Sequence, residues 1–432
     1  MAFLCFCAPA PSGRALAAAS ASRSGARLRR RSGGAPLGEG RREVHWWAVR
    51  PRIRISLSLL LIAAVVACGR LDYADVEVAD GGEVADEPVA LVPAGTLANA
   101  PYAIAPRVDG PGVVVAYAEF PLGSTTANLV MVKTAADGAV YGAPVIITGL
   151  DLQLDFLYLF AEAGGYRLFH VPLGTSDLVI TAIDADGRVL STASLNGRRH
   201  LYVTAIDGGY ALSFKQGNAP TQVYFELLDQ SGVPVGVPIA LESTAENQDY
   251  ALVAQSGDGF GVLWRDQRSG SRRVRFMTAD STPAVVGTSA EPFPVAGVQR
   301  PVALVDDGAG GFIAAVDNDH GVLVRRLDGA GAPVWSETVS LPPNRRDSPD
   351  LSLQRVGDRL GIAWQGDNET LTQIYFTTMA VADGSVGSIQ ELSAGQSRAG
   401  DPKLTYVDER FVTVFHEDDG ERAGPFLRWS TP

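Results

Sequence analysis

The chain has 432 residues, of which 46% are hydrophobic and 19% are charged, and its formal net charge is −12. This composition excludes collagen-like, coiled-coil and wholly disordered chains, and three cysteines are too few for a disulfide scaffold. An acidic chain also lacks the basic surface that phosphate contacts need, so we predict no nucleic-acid partner.

The charge is unevenly distributed along the chain. Residues 1–67 contain eleven Arg, no Lys and two acidic residues, which is a net charge of +9, and the remainder therefore carries −21. Residues 1–48 are rich in Arg, Ala, Gly and Ser and show no apolar periodicity. We interpret 1–48 as a doubtful or disordered N-terminal extension, either the result of a start codon placed too early or an unusually long n-region.

Residues 49–67 have the pattern of a secretory signal. Thirteen mostly apolar residues at 55–67 follow Arg50, Arg52 and Arg54. A basic segment before an apolar segment of this length is typical of a signal peptide. The apolar run is shorter than the about 20 residues that a transmembrane helix needs.

The end of that segment, Val65-Val66-Ala67-Cys68, resembles the lipobox of bacterial lipoproteins. In that family the cysteine receives a diacylglycerol and the signal is cleaved before it. The resemblance implies that Cys68 is the lipidation site and the first residue of a mature protein in the cell envelope. The following Gly69, in place of an Asp, favours the outer membrane, on its periplasmic face or at the cell surface. Two or three acyl chains hold a protein stably at a membrane, whereas one binds marginally.

Residues 68–87 form an acidic tether in this interpretation. Residues 69–87 contain one Arg and seven acidic residues. Such a segment cannot bury enough apolar surface to fold. We predict a flexible spacer between the lipid and a folded domain at 88–432.

From residue 88 onward the sequence repeats with a period near 50 residues. Each repeat has an anchor residue, usually aromatic, that begins an alternating strand, and a second residue, usually large, four positions later. The anchors are Val113, Tyr166, Tyr210, Phe260, Phe312, Leu360 and Phe411, and the second residues are Tyr117, His170, Phe214, Trp264, Val316, Trp364 and Phe415. An offset of four with alternation places both residues on one face of a β-strand.

Each repeat contains four strand patterns in the same order, separated by turn signals such as Asp186-Gly187. Repeated four-stranded antiparallel sheets are typical of an all-β fold, the β-propeller, and counting predicts seven blades. The seventh repeat supplies only three strands, and residues 88–93 supply the fourth beside residues 426–429, which closes the ring. A six- or eight-bladed propeller and tandem β-sandwiches are the alternatives.

These repeats resemble the degenerate propeller repeats of predicted lipoproteins from Gram-negative bacteria with GC-rich genomes, especially myxobacteria. The resemblance rests on glycine, aromatic and alternating positions over most of residues 88–432. It implies the fold and the lipoprotein class far more strongly than any activity. The sequence has no WD or kelch signature and no sialidase box.

Arginines recur just before the first strand of several repeats. In propellers of this type these segments share one face with the loops between second and third strands, so the arginines would surround the channel mouth. There they would bind a carboxylate or an acidic glycan. The candidate ligand-binding residues are Arg199, Arg300, Arg346 and Arg398. The alternative is that they pair with nearby acids such as Asp347 or Asp401.

The sequence carries no motif for catalysis or cofactor binding. It has no Gly-x-Ser-x-Gly, no Walker A motif and no His-x-x-His. We therefore predict no metal and no cofactor. His170 lies at the repeat position of the large residues, which favours a structural role for it.

Two classes of function are compatible with these patterns. The first, which we favour, is a monomeric, membrane-anchored binding or scaffold module with a protein or glycan ligand. The second is a hydrolase or lyase of extracellular glycans with carboxylates at the channel mouth. A close carboxylate pair with a perturbed pKa would favour the enzyme. The candidate carboxylates are Asp306, Asp307, Asp347, Glu369 and Asp401.

Overall fold

The computed structural model describes residues 88–93, 97–120, 127–147, 154–172, 175–217, 219–268, 272–282, 284–295, 297–318, 321–335, 338–341, 350–367, 371–393, 398–418 and 423–431. The predicted extension, signal, lipidation site Cys68 and acidic tether lie outside these residues. Within them the chain forms 28 β-strands and no α-helix. The described part accordingly contains no helix that is long and apolar enough to cross a membrane.

The strands form seven antiparallel blades of four strands each, which confirms the predicted seven-bladed β-propeller. Strand β1 (Val89–Ala90) comes first along the chain and belongs to blade 7. Blade 1 contains β2 (Leu97–Pro106), β3 (Val113–Phe120), β4 (Asn128–Lys133) and β5 (Val145–Ile147), and blade 2 contains β6 (Leu154–Glu162), β7 (Gly165–Pro172), β8 (Leu178–Asp184) and β9 (Val189–Leu195). Blade 3 contains β10 (Arg199–Ile206), β11 (Gly209–Gln216), β12 (Gln222–Asp229) and β13 (Ile239–Ala240).

The second half of the ring repeats this order. Blade 4 contains β14 (Gln248–Ser256), β15 (Gly259–Asp266), β16 (Arg273–Asp280) and β17 (Val285–Ala290), and blade 5 contains β18 (Gln299–Asp306), β19 (Phe312–Asn318), β20 (Gly321–Leu327) and β21 (Val339–Leu341). Blade 6 contains β22 (Leu351–Val356), β23 (Arg359–Asp367), β24 (Thr372–Ala380) and β25 (Gln390–Glu391). Blade 7 contains β26 (Arg398–Val407), β27 (Arg410–Asp418), β28 (Ala423–Ser430) and β1.

The first strand of each blade lies innermost, around the central channel. These seven strands contact one another in ring order, from β2 through β6, β10, β14, β18 and β22 to β26 and back to β2. We call the face where these strands begin the upper face, and the face where they end the lower face. Because the strands alternate in direction, the upper face also carries the connections between second and third strands and between blades.

The hydrophobic core is divided into seven clusters, and each cluster lies at one boundary between two blades. Alternate residues of a second strand belong to different clusters. In β3, for example, Val114 and Ala116 pack with blade 2, whereas Val115 and Tyr117 pack with blade 7. Because both faces of a blade are covered by its neighbours, the middle of each second strand is mostly apolar on both faces instead of alternating between polar and apolar residues.

The repeated aromatic anchors pack across these boundaries. Phe411 of blade 7 meets Phe376 of blade 6, with ring centroids 5.4 Å apart. The same kind of contact joins Phe312 of blade 5 to Phe276 of blade 4, with ring centroids 5.3 Å apart. Gly361 makes room for Phe411, since a Cβ at this position would lie 2.3 Å from the Phe411 ring. The glycine and aromatic signals of the repeat therefore belong to one packing unit that spans two blades.

The ring is closed by β1, which pairs antiparallel with β28, with Val89 opposite Leu427 and Ala90 opposite Phe426. This pairing confirms the predicted closure by the segment at 88–93. Beyond the strand, the Leu91 N–H donates to the Pro425 carbonyl at 3.0 Å. The Leu91 side chain is buried in the cluster between blades 7 and 1. The first and last described strands thus complete one blade together.

Candidate functional site at the channel mouth

One position recurs at the upper end of every inner strand. It lies six residues before the last residue of the first strand of each blade, and we call its seven occupants the mouth ring. They are Ala100, Phe156, His200, Tyr250, Arg300, Asp350 and Asp401. The first strands surround the channel, so residues at their upper ends lie around one rim. His200, Tyr250 and Asp401 each come one residue after the position that pairs with the second strand, whereas Phe156 and Arg300 are themselves paired.

The backbone is irregular at this level of the fold. The register shifts in the upper part of six first strands, at β2, β6, β10, β14, β18 and β26. Three mouth-ring residues have positive φ angles, namely His200 at 45°, Tyr250 at 49° and Asp401 at 54°. An extra residue in a strand redirects its side chain. Non-glycine residues in the left-handed region are strained and concentrate at functional sites.

Mouth-ring side chains contact one another across blade boundaries. The ring of Phe156 lies edge-on to His200, with centroids 6.2 Å apart. The Arg300 guanidinium carbon lies 5.8 Å from the centre of the Tyr250 ring. On its other side, Arg300 Nη2 lies 3.9 Å from Asp350 Oδ1. The contacts form an aromatic portion at blades 2 to 4 and a charged portion at blades 5 to 7.

Asp350 and Asp401 form a hydrogen-bonded carboxyl pair across the boundary between blades 6 and 7. The Asp350 side chain keeps 41% of its surface accessible, yet the strands around it remove much of its solvation. This burial, followed by the negative charge of Asp401, raises the pKa of Asp350 to about 7, while Lys403 and Arg300 act in the opposite direction. Because its pKa lies near 7, the Asp350 carboxyl group both donates and accepts hydrogen bonds near neutral pH.

Tyr102 of blade 1 holds the backbone of this pair in place. Its hydroxyl donates to the carbonyl oxygens of Gly400 and Asp401 and accepts the His416 N–H at 2.9 Å. Burial, with the nearby Asp401 charge, raises the pKa of Tyr102 far above its ordinary value, so the hydroxyl stays protonated. The conformation of Asp401 therefore depends on contact between blades 7 and 1.

A further ion pair lies beside the mouth ring in blade 4. Arg265 binds the Asp249 carboxylate through two hydrogen bonds of 2.6 and 2.7 Å, and its guanidinium carbon lies 4.3 Å from the centre of the Tyr250 ring. Tyr250 itself is 42% exposed. The aromatic ring is thus held by a cation and still presents surface at the mouth.

The four arginines predicted as ligand-binding residues occupy different places. Arg300 lies in the mouth ring, where its side chain is largely buried. Arg199 and Arg398 are exposed at the starts of β10 and β26, one and three residues before their ring positions. Arg346 lies outside the described residues. The structure brings Arg300 together with carboxylates, and the ligand-binding role of all four stays a prediction.

The candidate carboxylates divide between the two faces. Asp306 and Asp307 lie at the lower face, where Asp306 pairs with Arg355 at 2.6 Å and Asp307 pairs with Arg326 at 2.8 Å. The upper-face pair consists of Asp401, which the sequence suggested, and Asp350, which it did not. Asp347 and Glu369 lie outside the described residues.

His170 is buried in blade 2, with 2% of its surface exposed. Burial lowers its pKa to about 4, so the imidazole is neutral at pH 7. This burial agrees with the structural role that its repeat position predicts. Among the described residues, no group of three or more His, Cys, Asp or Glu side chains is arranged to hold a metal ion.

Sequence reasoning missed five mouth-ring residues: Ala100, Phe156, His200, Tyr250 and Asp350. Their signal is the register within the repeat, since each lies six residues before the end of a first strand. Selecting residues by type, as with the arginines, mixes different positions of the repeat. Only an alignment of all seven repeats at this position would have grouped them.

No protein-family model matches the chain, and no curated protein matches it. Solved structures similar to this chain include puromycin hydrolase, at 14% identity and a TM-score of 0.50, with 75% of this chain and 53% of that chain covered. The propeller domain of the trilobed protease from Pyrococcus furiosus has 11% identity and a TM-score of 0.49, covering 79% of this chain and 95% of that one. TolB from Acinetobacter baumannii has 14% identity and a TM-score of 0.41, and the match covers 68% of this chain and 66% of TolB. The chain spans about half the length of the puromycin hydrolase, and the similarity to it shows the fold alone.

The carboxyl pair predicts a specific dependence of stability on pH. Because the folded-state pKa of Asp350 lies above its unfolded value, its contribution to stability is complete below about pH 4 and is lost as pH rises through about 7. Asp350→Asn removes this titration while keeping an amide that can bond Asp401. Wild type should lose stability between pH 5 and pH 8, whereas the variant should not. The unfolding free energy of the variant minus that of wild type should therefore rise by on the order of 1 kcal/mol over this range, after allowance for solvent screening. Urea titrations at both pH values measure this change, and an unchanged difference between variant and wild type would contradict the raised pKa of Asp350.

Proposed function

We propose that this chain is a monomeric β-propeller lipoprotein of the bacterial cell envelope that binds a protein or glycan ligand at its mouth ring without catalysing a reaction. The observation that carries the proposal is the convergence of aromatic, cationic and carboxyl side chains at the upper ends of the inner strands. By contrast, the middle of each second strand is mostly apolar because neighbouring blades cover it. Neighbouring blades do not cover the mouth ring in this way, so its aromatic and charged side chains can contact a ligand.

The chemistry of the mouth ring suits a ligand with both apolar and polar groups. Phe156 and Tyr250 supply aromatic surface, and Arg300 supplies a cation. The pair of Asp350 and Asp401 supplies a hydrogen-bond donor and acceptors near neutral pH. A rigid ring of strands holds these groups, which lowers the entropy cost of ordering them on binding. A sugar chain or a peptide carries the complementary groups.

The geometry favours binding over glycan hydrolysis. Glycosidases hold their two carboxyl groups about 5 to 9.5 Å apart, because a sugar or a water must fit between them. Asp350 and Asp401 hydrogen-bond to each other directly, and Arg300 lies 3.9 Å from Asp350. A hydrolase or lyase of extracellular glycans is the second candidate, and the raised pKa of Asp350 is the observation in its favour.

The envelope location rests on the sequence. A basic segment, an apolar segment of thirteen residues and the Val65-Val66-Ala67-Cys68 motif occur in the order of a lipoprotein signal. We propose that lipid on Cys68 anchors the propeller to the outer membrane, through the acidic segment at 68–87. Held near a surface, a weak binding site gains affinity from its raised local concentration.

Two matched arginines allow a direct test of the mouth ring. Arg300 and Arg355 both join blades 5 and 6 through an aspartate, but Arg300 acts at the upper face and Arg355 at the lower face. We expect Arg300→Gln to weaken binding to an array of envelope glycans and peptides by at least tenfold, because the charged portion of the mouth ring is disrupted. Arg355→Gln should leave binding within twofold.

Equal binding by both variants and wild type would contradict a ligand site at the mouth. The same samples separate the two candidate functions. Release of new reducing ends from a bound glycan, abolished by Asp350→Asn, would support the hydrolase and contradict the non-catalytic proposal.

The anchor has its own test in cells. We expect the wild-type chain to incorporate labelled palmitate and to sediment with membranes, because the thiol of Cys68 carries the lipid. Cys68→Ser should lose the label and move to the soluble fraction, while Ser58→Ala, in the apolar segment, should behave as wild type. Continued labelling and sedimentation of Cys68→Ser would contradict the lipid anchor.

A further inference from the structure

Two cations lie directly opposite each other at the upper face of blade 3. Arg199, the first residue of β10, pairs in register with Lys215 of β11. Directly opposite residues have Cβ atoms about 5 Å apart on one face of the sheet, and like charges in this arrangement destabilise it. Arg199 is exposed and Lys215 is partly buried. Among the described residues, neither of the two cations forms an ion pair.

The next two blades place opposite charges at this level of the fold. In blade 4, Asp249 lies opposite Arg265, and hydrogen bonds of 2.6 and 2.7 Å join the two side chains. In blade 5, Arg300 lies opposite Asp317, with 3.8 Å between Arg300 Nε and Asp317 Oδ2. Blade 3 therefore departs from an arrangement that its neighbours share, at the cost of repulsion between two cations.

Four acidic side chains at the upper ends of blades 3 and 4 are held by other arginines. They are Glu226, bound by Arg198, Asp249, bound by Arg265, and Glu242 and Asp266, which both bind Arg268. Because these carboxylates are engaged elsewhere, the charge of Arg199 and Lys215 can be matched by an anion from outside the chain.

The net negative charge of the chain acts only weakly at this place. Much of it lies at the lower face, where the turns between third and fourth strands carry Asp137, Asp184, Asp186, Asp229, Asp280, Asp328 and Asp383. An eight-residue strand such as β10 spans about 26 Å, whereas charges are screened over about 8 Å at physiological ionic strength. The local pair of cations therefore determines which charge binds at this part of the mouth.

An exposed aromatic ring lies on the blade that the two cations face. Lys215 shares its face of the sheet with Ser213, whose hydroxyl donates to the Ala251 carbonyl at 2.9 Å, so this face is turned towards β14 of blade 4. The residue before Ala251 is Tyr250, which is 42% exposed. The apolar C–H face of a sugar packs on an aromatic ring, and in a uronic acid the carboxylate is attached directly to the sugar. A single acidic sugar can therefore reach the cations and Tyr250 together, whereas an Asp or Glu side chain has no such apolar face.

We propose that the ligand of the mouth ring is an acidic glycan, with one carboxylate bound between Arg199 and Lys215 and its sugar ring packed against Tyr250. The arginine binds a carboxylate through two parallel N–H groups, and the lysine adds a compact second cation. The bound anion removes the repulsion between the two strands, so the pair is costly only in the unliganded chain. The proposal rests on the proposed ligand site at the mouth and names the class of its ligand.

Three fluorescent probes test the proposal on the full-length chain. They are the hexamer of galacturonic acid, the same hexamer with its carboxylates methyl-esterified, and hexaglutamate. We expect wild type to bind the acid hexamer at least about tenfold more tightly than the ester in fluorescence anisotropy, because the ester keeps the sugars and lacks the charge. Arg199→Gln and Lys215→Gln should each weaken binding of the acid hexamer about tenfold. Arg359→Gln, at an exposed arginine of the lower face, is the matched control and should bind as wild type.

A charge reversal separates the ligand role from a structural one. Lys215→Glu places opposite charges across β10 and β11, as Asp249 and Arg265 do in blade 4. We expect its thermal unfolding midpoint to rise by about 1 °C and its binding of the acid hexamer to fall at least about tenfold. Loss of binding in a variant that is more stable than wild type cannot result from unfolding.

Equal binding of the acid hexamer and its ester by wild type, or binding of neither, would overturn the proposal. Binding of hexaglutamate that depends on Arg199 and Lys215, without binding of the acid hexamer, would overturn it in favour of an acidic peptide. A ligand that is weakened by Arg300→Gln and unaffected by Arg199→Gln would keep the mouth ring as a binding site and reject only the acidic glycan.

Discussion

The pairing of β1 with β28 is the interaction on which the rest of this fold depends. Every other blade is complete within one continuous segment, but blade 7 needs a strand from the opposite end of the propeller sequence. Without that strand, the cluster that holds Leu91, Val92 and Trp429 would lose part of its cover. A ring differs from a linear stack in that one weak boundary exposes two blade faces at once. The closing strand is only two residues long, and the buried side chains of Leu91 and Val92, which follow it, add packing between blades 7 and 1.

Closure also organises the mouth ring. Tyr102 belongs to blade 1, and its hydroxyl binds the carbonyl groups of Gly400 and Asp401 in blade 7. The strained backbone at Asp401 is therefore held by a contact across the boundary that β1 completes. Asp401 in turn bonds Asp350, and Asp350 lies next to Arg300. The charged portion of the mouth is thus a series of contacts from blade 5 through blades 6 and 7 to blade 1. Its geometry therefore depends on closure of the ring.

The fold was predictable from the sequence because it arises from local and repeated patterns. Alternation, aromatic anchors and turn signals recur with each repeat, and each has a direct packing cause, such as Phe411 packing over Gly361. The closing strand could be predicted by counting, since the seventh repeat lacks one. The carboxyl pair could not, because Asp350 and Asp401 meet only when blade 7 lies beside blade 6 at a defined rotation. Position along the first strand identifies the mouth ring, whereas residue type alone selected arginines from different positions of the repeat.

The like-charged pair of Arg199 and Lys215 shows a different limit of the sequence. Nothing in the sequence marks the two residues as neighbours, and only the register of β11 against β10 places them opposite each other. The lipid anchor predicted at Cys68 differs, since a short motif in the sequence is the whole basis of that prediction. The mouth ring and the predicted anchor lie on separate parts of the chain, so one can be changed without changing the other.

Amide hydrogen exchange at Leu91 tests the closure most directly. Its N–H bonds the Pro425 carbonyl and lies at the end of the closing strand. If β1 completes blade 7, this amide should exchange as slowly as that of Val414 in the middle of β27, because both then open only with the whole ring. Exchange of the Leu91 amide at the rate of an unstructured peptide, while Val414 stays protected, would show that the ring is held without β1.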